Sequence, residues 1–131
     1  MVIDTSILFA IEFLEPEAEV YDAMLRSADV RLMSVASAVE LLIVLTRRRR
    51  FDQSAAVNDL IQEYGIELTP VDEGQMRLAW AGFARFGKGG GHPAQLNFGD
   101  CFSYALTRAS GQPLMFKGTD FALTDVQTAV T

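Results

Sequence analysis

Short apolar segments alternate with helical patterns along the whole chain, and this alternation limits the folds that it can adopt. Val2-Ile3, Val30 to Met33, Ile66 to Val71 and Pro113 to Phe116 are predicted strands, and amphipathic stretches with a helical period separate them. Strands joined through helices pair in parallel, because each right-handed crossover returns the chain to the same edge of the sheet. We therefore expect an α/β fold: a three-layer α/β/α domain with a short, mostly parallel central sheet, in a single domain over residues 1–131.

Composition excludes several classes of protein. Cys101 is the only cysteine, which argues against a disulfide scaffold and for a buried thiol in the cytoplasm. The longest apolar runs, Ile7 to Ile11 and Leu41 to Leu45, are far shorter than the ~20 residues of a membrane span, and no basic leader starts the chain. The net charge of −6 argues against a nucleic-acid partner. Two bound divalent cations would reduce it to −6 + 4 = −2.

Two aspartates stand where α/β proteins commonly place ligands. Asp4 follows the first strand, and either Thr5 or Ser6 can cap the next helix; the alternative is that Asp4 only helps to cap it. Asn97 is a good N-cap, which puts Asp100 near the third helical position, where free N–H groups and the helix dipole stabilise an ionised carboxylate. The alternative for Asp100 is an acid that only complements the dipole.

A further glutamate and aspartate are candidates on weaker grounds. Glu40 interrupts a helix that is apolar nearly all round, and a carboxylate there is costly to desolvate unless a cation meets it. A capping box, in which Glu40 reaches back to the Ser37 N–H, is the alternative. Asp120 lies just past the fourth strand, where it is either part of a site or an ordinary turn residue.

The remaining patterns predict scaffold and surface. The helix after Asn97 is expected to pack by one face, with Ser103, Tyr104 and Thr107 on the opposite side, and the segment around Trp80 is expected in the core. The glycine-rich segment 87–93 is predicted to be a mobile surface loop with a solvated His92. The acidic run from Glu12 to Asp22 is predicted to face solvent, away from four consecutive arginines that either end a helix or contact phosphates: Arg47, Arg48, Arg49 and Arg50.

The topology predicts that the four acids meet at one edge of the sheet. Asp4 and Asp120 follow strands, while Glu40 and Asp100 are expected in the first turns of helices. Such a cluster without bases repels itself, and the chemistry that needs it is a hard divalent cation, Mg²⁺ or Mn²⁺, with oxygen ligands. Metal-assisted phosphodiester hydrolysis is the predicted reaction class.

The ordered motifs resemble one family over the whole chain. Met1-Val2-Ile3-Asp4-Thr5-Ser6, Glu40 in its apolar helix, Asn97-Phe98-Gly99-Asp100-Cys101 and Phe116-Lys117-Gly118-Thr119-Asp120-Phe121 together look like the PIN-domain ribonucleases, specifically the VapC-type toxins. The resemblance implies that Asp4 and Asp100 are the main metal ligands and that Glu40 and Asp120 complete the site. Thr5, Ser6 and Asn97 would be supporting polar groups. It also implies a homodimer, an RNA substrate such as transfer RNA, and a cognate antitoxin that blocks the site.

Other functions remain open at the level of sequence. A haloacid-dehalogenase-type phosphatase also uses Mg²⁺ and an aspartate after the first strand, but that pattern needs Asp where Ser6 stands. A PIN-fold nuclease of RNA processing would share the site without a toxin role. A catalytically silent PIN-like binding module would keep the fold and lose an acid, whereas all four acids are present.

Overall fold

A parallel four-stranded sheet is the centre of the molecule in the computed structural model, which describes residues 1–129. Its strands are β1 (Val2–Ile3), β2 (Leu32–Ser34), β3 (Glu67–Thr69) and β4 (Leu114–Met115), in the spatial order β3-β2-β1-β4. Val2 pairs with both Leu32 and Leu114, so β1 lies inside the sheet and its carboxyl end has a strand on either side. The predicted parallel sheet is confirmed.

Six α-helices cover the two faces of this sheet within residues 1–129. They are α1 (Thr5–Glu12), α2 (Ala18–Ser27), α3 (Val35–Arg49), α4 (Ser54–Glu63), α5 (Glu73–Phe86) and α6 (Asp100–Ser110). Ile3 and Met115 face a core formed with α1 to α4, whereas Val2 and Leu114 face a second core formed with α5 and α6. Successive strand residues point to opposite faces, so this division gives the three predicted layers. Over the same residues no helix is long and apolar enough to cross a membrane.

Helix α6 packs over more of its circumference than one face. Ser103, Tyr104 and Thr107, which were predicted to lie opposite the packed stripe, are buried, whereas Phe98 is 78% exposed. The reason is that α6 contacts the sheet on one side and α5 on another. Gly82 of α5 allows this close approach, because a Cβ there would lie 2.5 Å from the ring of Tyr104.

The segment around Trp80 is not core, contrary to the prediction. Trp80 is 68% exposed and Met76 is 56% exposed, while the small residues Ala79 and Gly82 face α6 instead. Residues before and within α5 and α6 line an apolar groove of about 400 Å³: Val71, Met76, Ala79, Trp80, Phe83, Phe98, Cys101 and Phe102. A helical period identifies apolar positions, but it does not reveal which of them another element covers.

Candidate active site

Asp4 lies at the carboxyl end of β1, where its carboxylate is bound from two directions. It is the N-cap of α1: Oδ2 accepts hydrogen bonds from Ser6 N at 3.1 Å and from Ser6 Oγ at 2.7 Å. Oδ1 accepts from Ser103 Oγ, on α6, at 2.6 Å. Asp4 therefore caps α1, as one of the two interpretations of the sequence predicted. Its other oxygen also forms a hydrogen bond that connects α1 to α6. Ser6 Oγ also accepts from Lys117 N at 3.0 Å, which ties the site to the end of β4.

Asp100 begins α6, and its position is fixed by a reciprocal pair of hydrogen bonds with Asn97. Asp100 N donates to Asn97 Oδ1, and Asn97 N donates to Asp100 Oδ2, each at 2.9 Å. This is the geometry of a capping box with shorter side chains. Burial raises the pKa of Asp100 to about 6; the Asn97 N–H opposes this change, and the negative charges of Asp4, Glu40 and Asp120 add to it. The helix dipole therefore does not offset the effect of burial on the pKa of Asp100. The ionised carboxylate lacks the counter-charge that would stabilise it.

Glu40 enters the site from the second turn of α3. The N-cap of α3 is Ser34, whose hydroxyl accepts from Ala36 N at 3.2 Å. Ser37 is a buried helical residue, so the Ser37–Glu40 capping box is wrong. Burial raises the pKa of the half-buried Glu40 carboxyl, the nearby hydroxyl of Thr5 opposes this, and the charge of Asp4 raises the pKa further. Glu40 therefore lies close enough to Asp4 for the two carboxylates to interact.

The other predicted site residues lie around these three carboxylates. Thr5 Oγ1 donates to Ser37 O at 3.0 Å and so joins α1 to α3. Asp120 is exposed ahead of a 3-10 turn, Phe121–Leu123, and its negative charge contributes to the raised pKa of Asp100. Asp125, by contrast, pairs with Arg85 at 3.3 Å and belongs to a separate cluster. Asp120 is thus the peripheral member of the predicted set of four acids.

Two residues in contact with this site are absent from the predicted set, namely Ser103 and Gly99. Ser103 is fully buried, and besides Asp4 its hydroxyl lies 3.4 Å from that of Ser37. Its spacing of three residues from Asp100 puts both on one side of α6, and this spacing is a signal that could have identified it. Gly99 lies against the Glu40 carboxylate, which no sequence pattern indicates.

The acids fit a hard divalent cation in donor type and in charge. Asp4, Glu40 and Asp100 supply carboxylate oxygens, and each charge that shifts the pKa of Glu40 or Asp100 is negative. In the described part of the chain, however, no three acidic, histidine or cysteine side chains are close enough to hold an ion as they stand. The mutual repulsion of these carboxylates adds to the effect of burial in raising the pKa values of Glu40 and Asp100.

The four arginines lie at the far end of α3 from Glu40, and two of them make internal contacts. Arg49 Nη1 lies 2.8 Å from Glu12 Oε1, and the Arg48 guanidinium is stacked 4.7 Å from the ring centroid of Phe13. Contrary to the prediction, the acidic run from Glu12 to Asp22 is therefore not separated from the arginines. Arg47 and Arg50 are exposed, and neither forms an ion pair with any residue between 1 and 129.

Comparison with known proteins matches the chain to one protein family. The family model described as "PIN domain" matches residues 1–127. The chain is similar to Ribonuclease VapC28 of Mycobacterium tuberculosis, at 48% identity over 130 residues, which cover 99% of this chain and 98% of that protein. It is also similar to Ribonuclease VapC of Mycolicibacterium smegmatis, at 45% identity over 126 residues, which cover 96% and 97% of the two chains.

Solved structures agree in fold. The crystal structure of Mycobacterium tuberculosis VapC20, described as a Sarcin-Ricin loop cleaving toxin, matches with a TM-score of 0.76 at 19% identity, covering 98% of this chain and 97% of that one. A toxin-antitoxin complex from Klebsiella pneumoniae matches with a TM-score of 0.66 at 16% identity, covering 92% and 89%.

Proposed function

The chain belongs to the PIN-domain family and is a VapC-type ribonuclease, and on that premise we propose that it cleaves RNA with Mg²⁺ or Mn²⁺ held by its acidic cluster. The observation that carries the proposal is the convergence of Asp4, Glu40 and Asp100 from three separate elements. Burial and, after it, the negative charges of neighbouring acids raise the pKa values of Glu40 and Asp100. We treat residues 1–131 as one PIN domain that acts in the cytoplasm, where Cys101 remains a thiol.

Different residues of the chain would have different roles in such a metal site. Asp4, Asp100 and Glu40 would hold the metal, and Asp120 would complete the acidic rim facing the substrate. Ser103 and Ser6 donate hydrogen bonds to the two oxygens of Asp4, and Asn97 N donates to Asp100, so these contacts restrict the orientation of both carboxylates. When bound, the divalent ion supplies the acidity that generates hydroxide from water and the positive charge that stabilises the leaving oxygen.

Incubation of the purified protein with total RNA tests this function directly. We expect Mg²⁺ or Mn²⁺ to support cleavage at a small set of positions, whose 5′ and 3′ ends can be mapped by sequencing, and EDTA to abolish it. Transfer RNA is the substrate that we expect to be cut. Cleavage that survives EDTA would contradict the metal site, and release of phosphate from small phosphate esters without RNA cleavage would indicate a phosphatase instead.

Exposed arginines at the end of α3 are the proposed phosphate contacts. Two of the four predicted arginines, Arg48 and Arg49, are held by internal contacts, so Arg47 and Arg50 are the better candidates. Replacing both by Gln is expected to weaken RNA binding and to lower the slope of log affinity against log salt concentration by up to ~0.7 per lost contact, without moving the cleavage position. Binding assays over a range of salt concentrations measure this slope.

A matched control is available on other helices. Arg26→Gln with Arg77→Gln removes the same charge from exposed ion pairs on α2 and α5. An equal loss of affinity in both double variants would assign the effect to net charge, and an unchanged slope in the α3 variant would assign its arginines to the solvated helix end.

The exposed apolar surface supports the proposed protein partners. We infer a homodimer formed through the α5/α6 groove, because every residue that lines the groove is uncharged and the same surface on a second copy would meet it without repulsion. Val39 and Ile43 form a second exposed apolar strip on α3, close in sequence to Glu40. That strip suits an antitoxin helix whose basic side chain reaches the acidic site. The mass of the isolated protein in solution tests the dimer.

A further inference from the structure

Gly99 occupies a position where the backbone does not require glycine. It precedes α6 with φ −63° and ψ −39°, the ordinary right-handed helical conformation. Gly111, at the other end of α6, has φ +72° and so does serve as a left-handed cap. In a helical conformation, glycine is less favourable than alanine, because its backbone loses more conformational freedom. A glycine at position 99 therefore needs a reason other than backbone geometry.

The space beside Gly99 is filled by the carboxylate of Glu40. A Cβ added at position 99 would lie only 1.9 Å from Glu40 Oε2, 2.6 Å from Cδ and 2.9 Å from Oε1, far closer than non-bonded atoms approach. The Glu40 carboxylate thus packs directly against the Gly99 backbone, and the next residue in the chain is Asp100. No other side chain is among the nearest atoms to that position.

We propose that Gly99 is a positioning residue, which places the Glu40 carboxylate beside Asp100 by leaving open the space that a side chain would take. This inference rests on the proposed function, because it concerns how one ligand of the metal is held. The contact involves the flexible end of a glutamate side chain, so a methyl group at position 99 displaces the carboxylate at little cost to the fold. Displacement moves one oxygen donor out of the acidic cluster while leaving its charge in the protein.

The variant Gly99→Ala separates this role from a structural one. We expect the unfolding temperature of the metal-free protein to stay the same or rise, because alanine favours the helical backbone. The affinity for Mn²⁺, measured by calorimetry, should fall at least tenfold and approach that of Glu40→Ala. The control is Gly74→Ala in the first turn of α5, where the nearest atom to the added methyl is Asp72 Oδ1 at 3.4 Å; it should bind Mn²⁺ like the wild type.

A shorter acid at position 40 provides a rescue. Glu40→Asp withdraws the carboxylate by one methylene, so it should weaken Mn²⁺ binding in the wild-type background and strengthen it in the Gly99→Ala background. This reversal of sign is not expected if Gly99 has only a structural role. Wild-type affinity in Gly99→Ala, or an equal effect of Glu40→Asp in both backgrounds, would overturn the proposal.

A measurement without metal distinguishes this inference from the proposed function. If Gly99 and Glu40 compete for the same space, Gly99→Ala should raise the unfolding temperature more in the Glu40→Ala background than in the wild type. That coupling is expected even if the wild-type protein binds no Mn²⁺ and cleaves no RNA, in which case only the proposed function fails. Additive unfolding temperatures would reject the positioning role itself.

Discussion

Asparagine in place of Asp100 is expected to abolish RNA cleavage while leaving the protein folded. The two side chains have almost the same shape, and the Asn oxygen can still accept the hydrogen bond that Asn97 N donates to Asp100. The charge that would hold the metal is lost, and a loss of several kcal/mol in transition-state stabilisation corresponds to ~10³-fold or more in rate. Initial rates on a mapped RNA substrate, at saturating Mg²⁺, measure the effect.

The control for this variant is Asp59→Asn, which makes the same chemical change at an exposed position on α4, outside the site. It should cleave at the wild-type rate. Wild-type activity of Asp100→Asn would be incompatible with a metal site built on Asp100, whatever the behaviour of the control.

The same variant should also be more stable than the wild type when no metal is present. The pKa of Asp100 in the folded protein, about 6, lies above its usual value near 3.8, so the folded state binds the proton more tightly than the unfolded chain does. Stability contributed by the proton is present below pH ~4 and is lost as the pH rises through about 6. Because Asp100 is partly exposed, we expect the ionised form to cost only about 1 kcal/mol at pH 7.

Unfolding temperatures in EDTA test this consequence. Asp100→Asn should unfold a few degrees above the wild type at pH 7, and the difference should vanish as the pH falls below ~3.8, where Asp100 becomes protonated in both states. Divalent cations should stabilise the wild type and have much less effect on the variant. A wild-type protein that gains stability between pH 4 and pH 6 relative to Asp100→Asn would show that the sign of the pKa shift is wrong.

The sequence predicts the sheet and the acidic edge because both depend on local patterns. Val2 and Ile3 are both apolar because each side chain faces one of the two cores. Asp4 is the first residue after this strand, so it lies at the edge of the sheet where α/β proteins bind ligands. Asn97 and Asp100 cap each other within one turn, which is also a local relation. The PIN fold and the convergence of the acids could therefore be anticipated.

The parts that the sequence does not predict depend on contacts between distant elements. The hydrogen bond from Ser103 to Asp4 joins residues 99 positions apart, and the contact of Glu40 with Gly99 joins α3 to the residue that precedes α6. The exposure of Trp80 has a related cause: its helical spacing marks it as apolar, while the small residues Ala79 and Gly82 occupy the side of α5 that meets α6. Exposed and buried apolar residues share the same helical spacing, so the period alone does not distinguish them.

Expression of the wild-type protein alone is expected to arrest bacterial growth, because an endoribonuclease without its inhibitor consumes RNA that the cell needs. Asp4→Asn should relieve the arrest: its one oxygen can still accept from Ser6 N, and its NH₂ group can donate to Ser103 Oγ, but the charge that would hold the metal is lost. Asp4→Ala should relieve it as well, although loss of the α1 cap costs ~1 kcal/mol of stability and makes it the less clean variant. Colony counts on inducing medium, with soluble protein verified by immunoblot, measure the effect.

Co-expression with a partner protein tests whether an antitoxin protects the cell from this enzyme. A small protein encoded beside it should copurify and restore growth, because the acidic site and the apolar strip on α3 offer both charge and surface to a basic, amphipathic inhibitor. Asp59→Asn, with its unaltered site, should arrest growth as the wild type does. Normal growth on strong induction of soluble wild-type protein, in a host that lacks the partner, would count against the toxin role even if RNA cleavage were demonstrated in solution. Arrest by Asp4→Asn equal to that by the wild type would instead show that the toxicity arises from something other than cleavage.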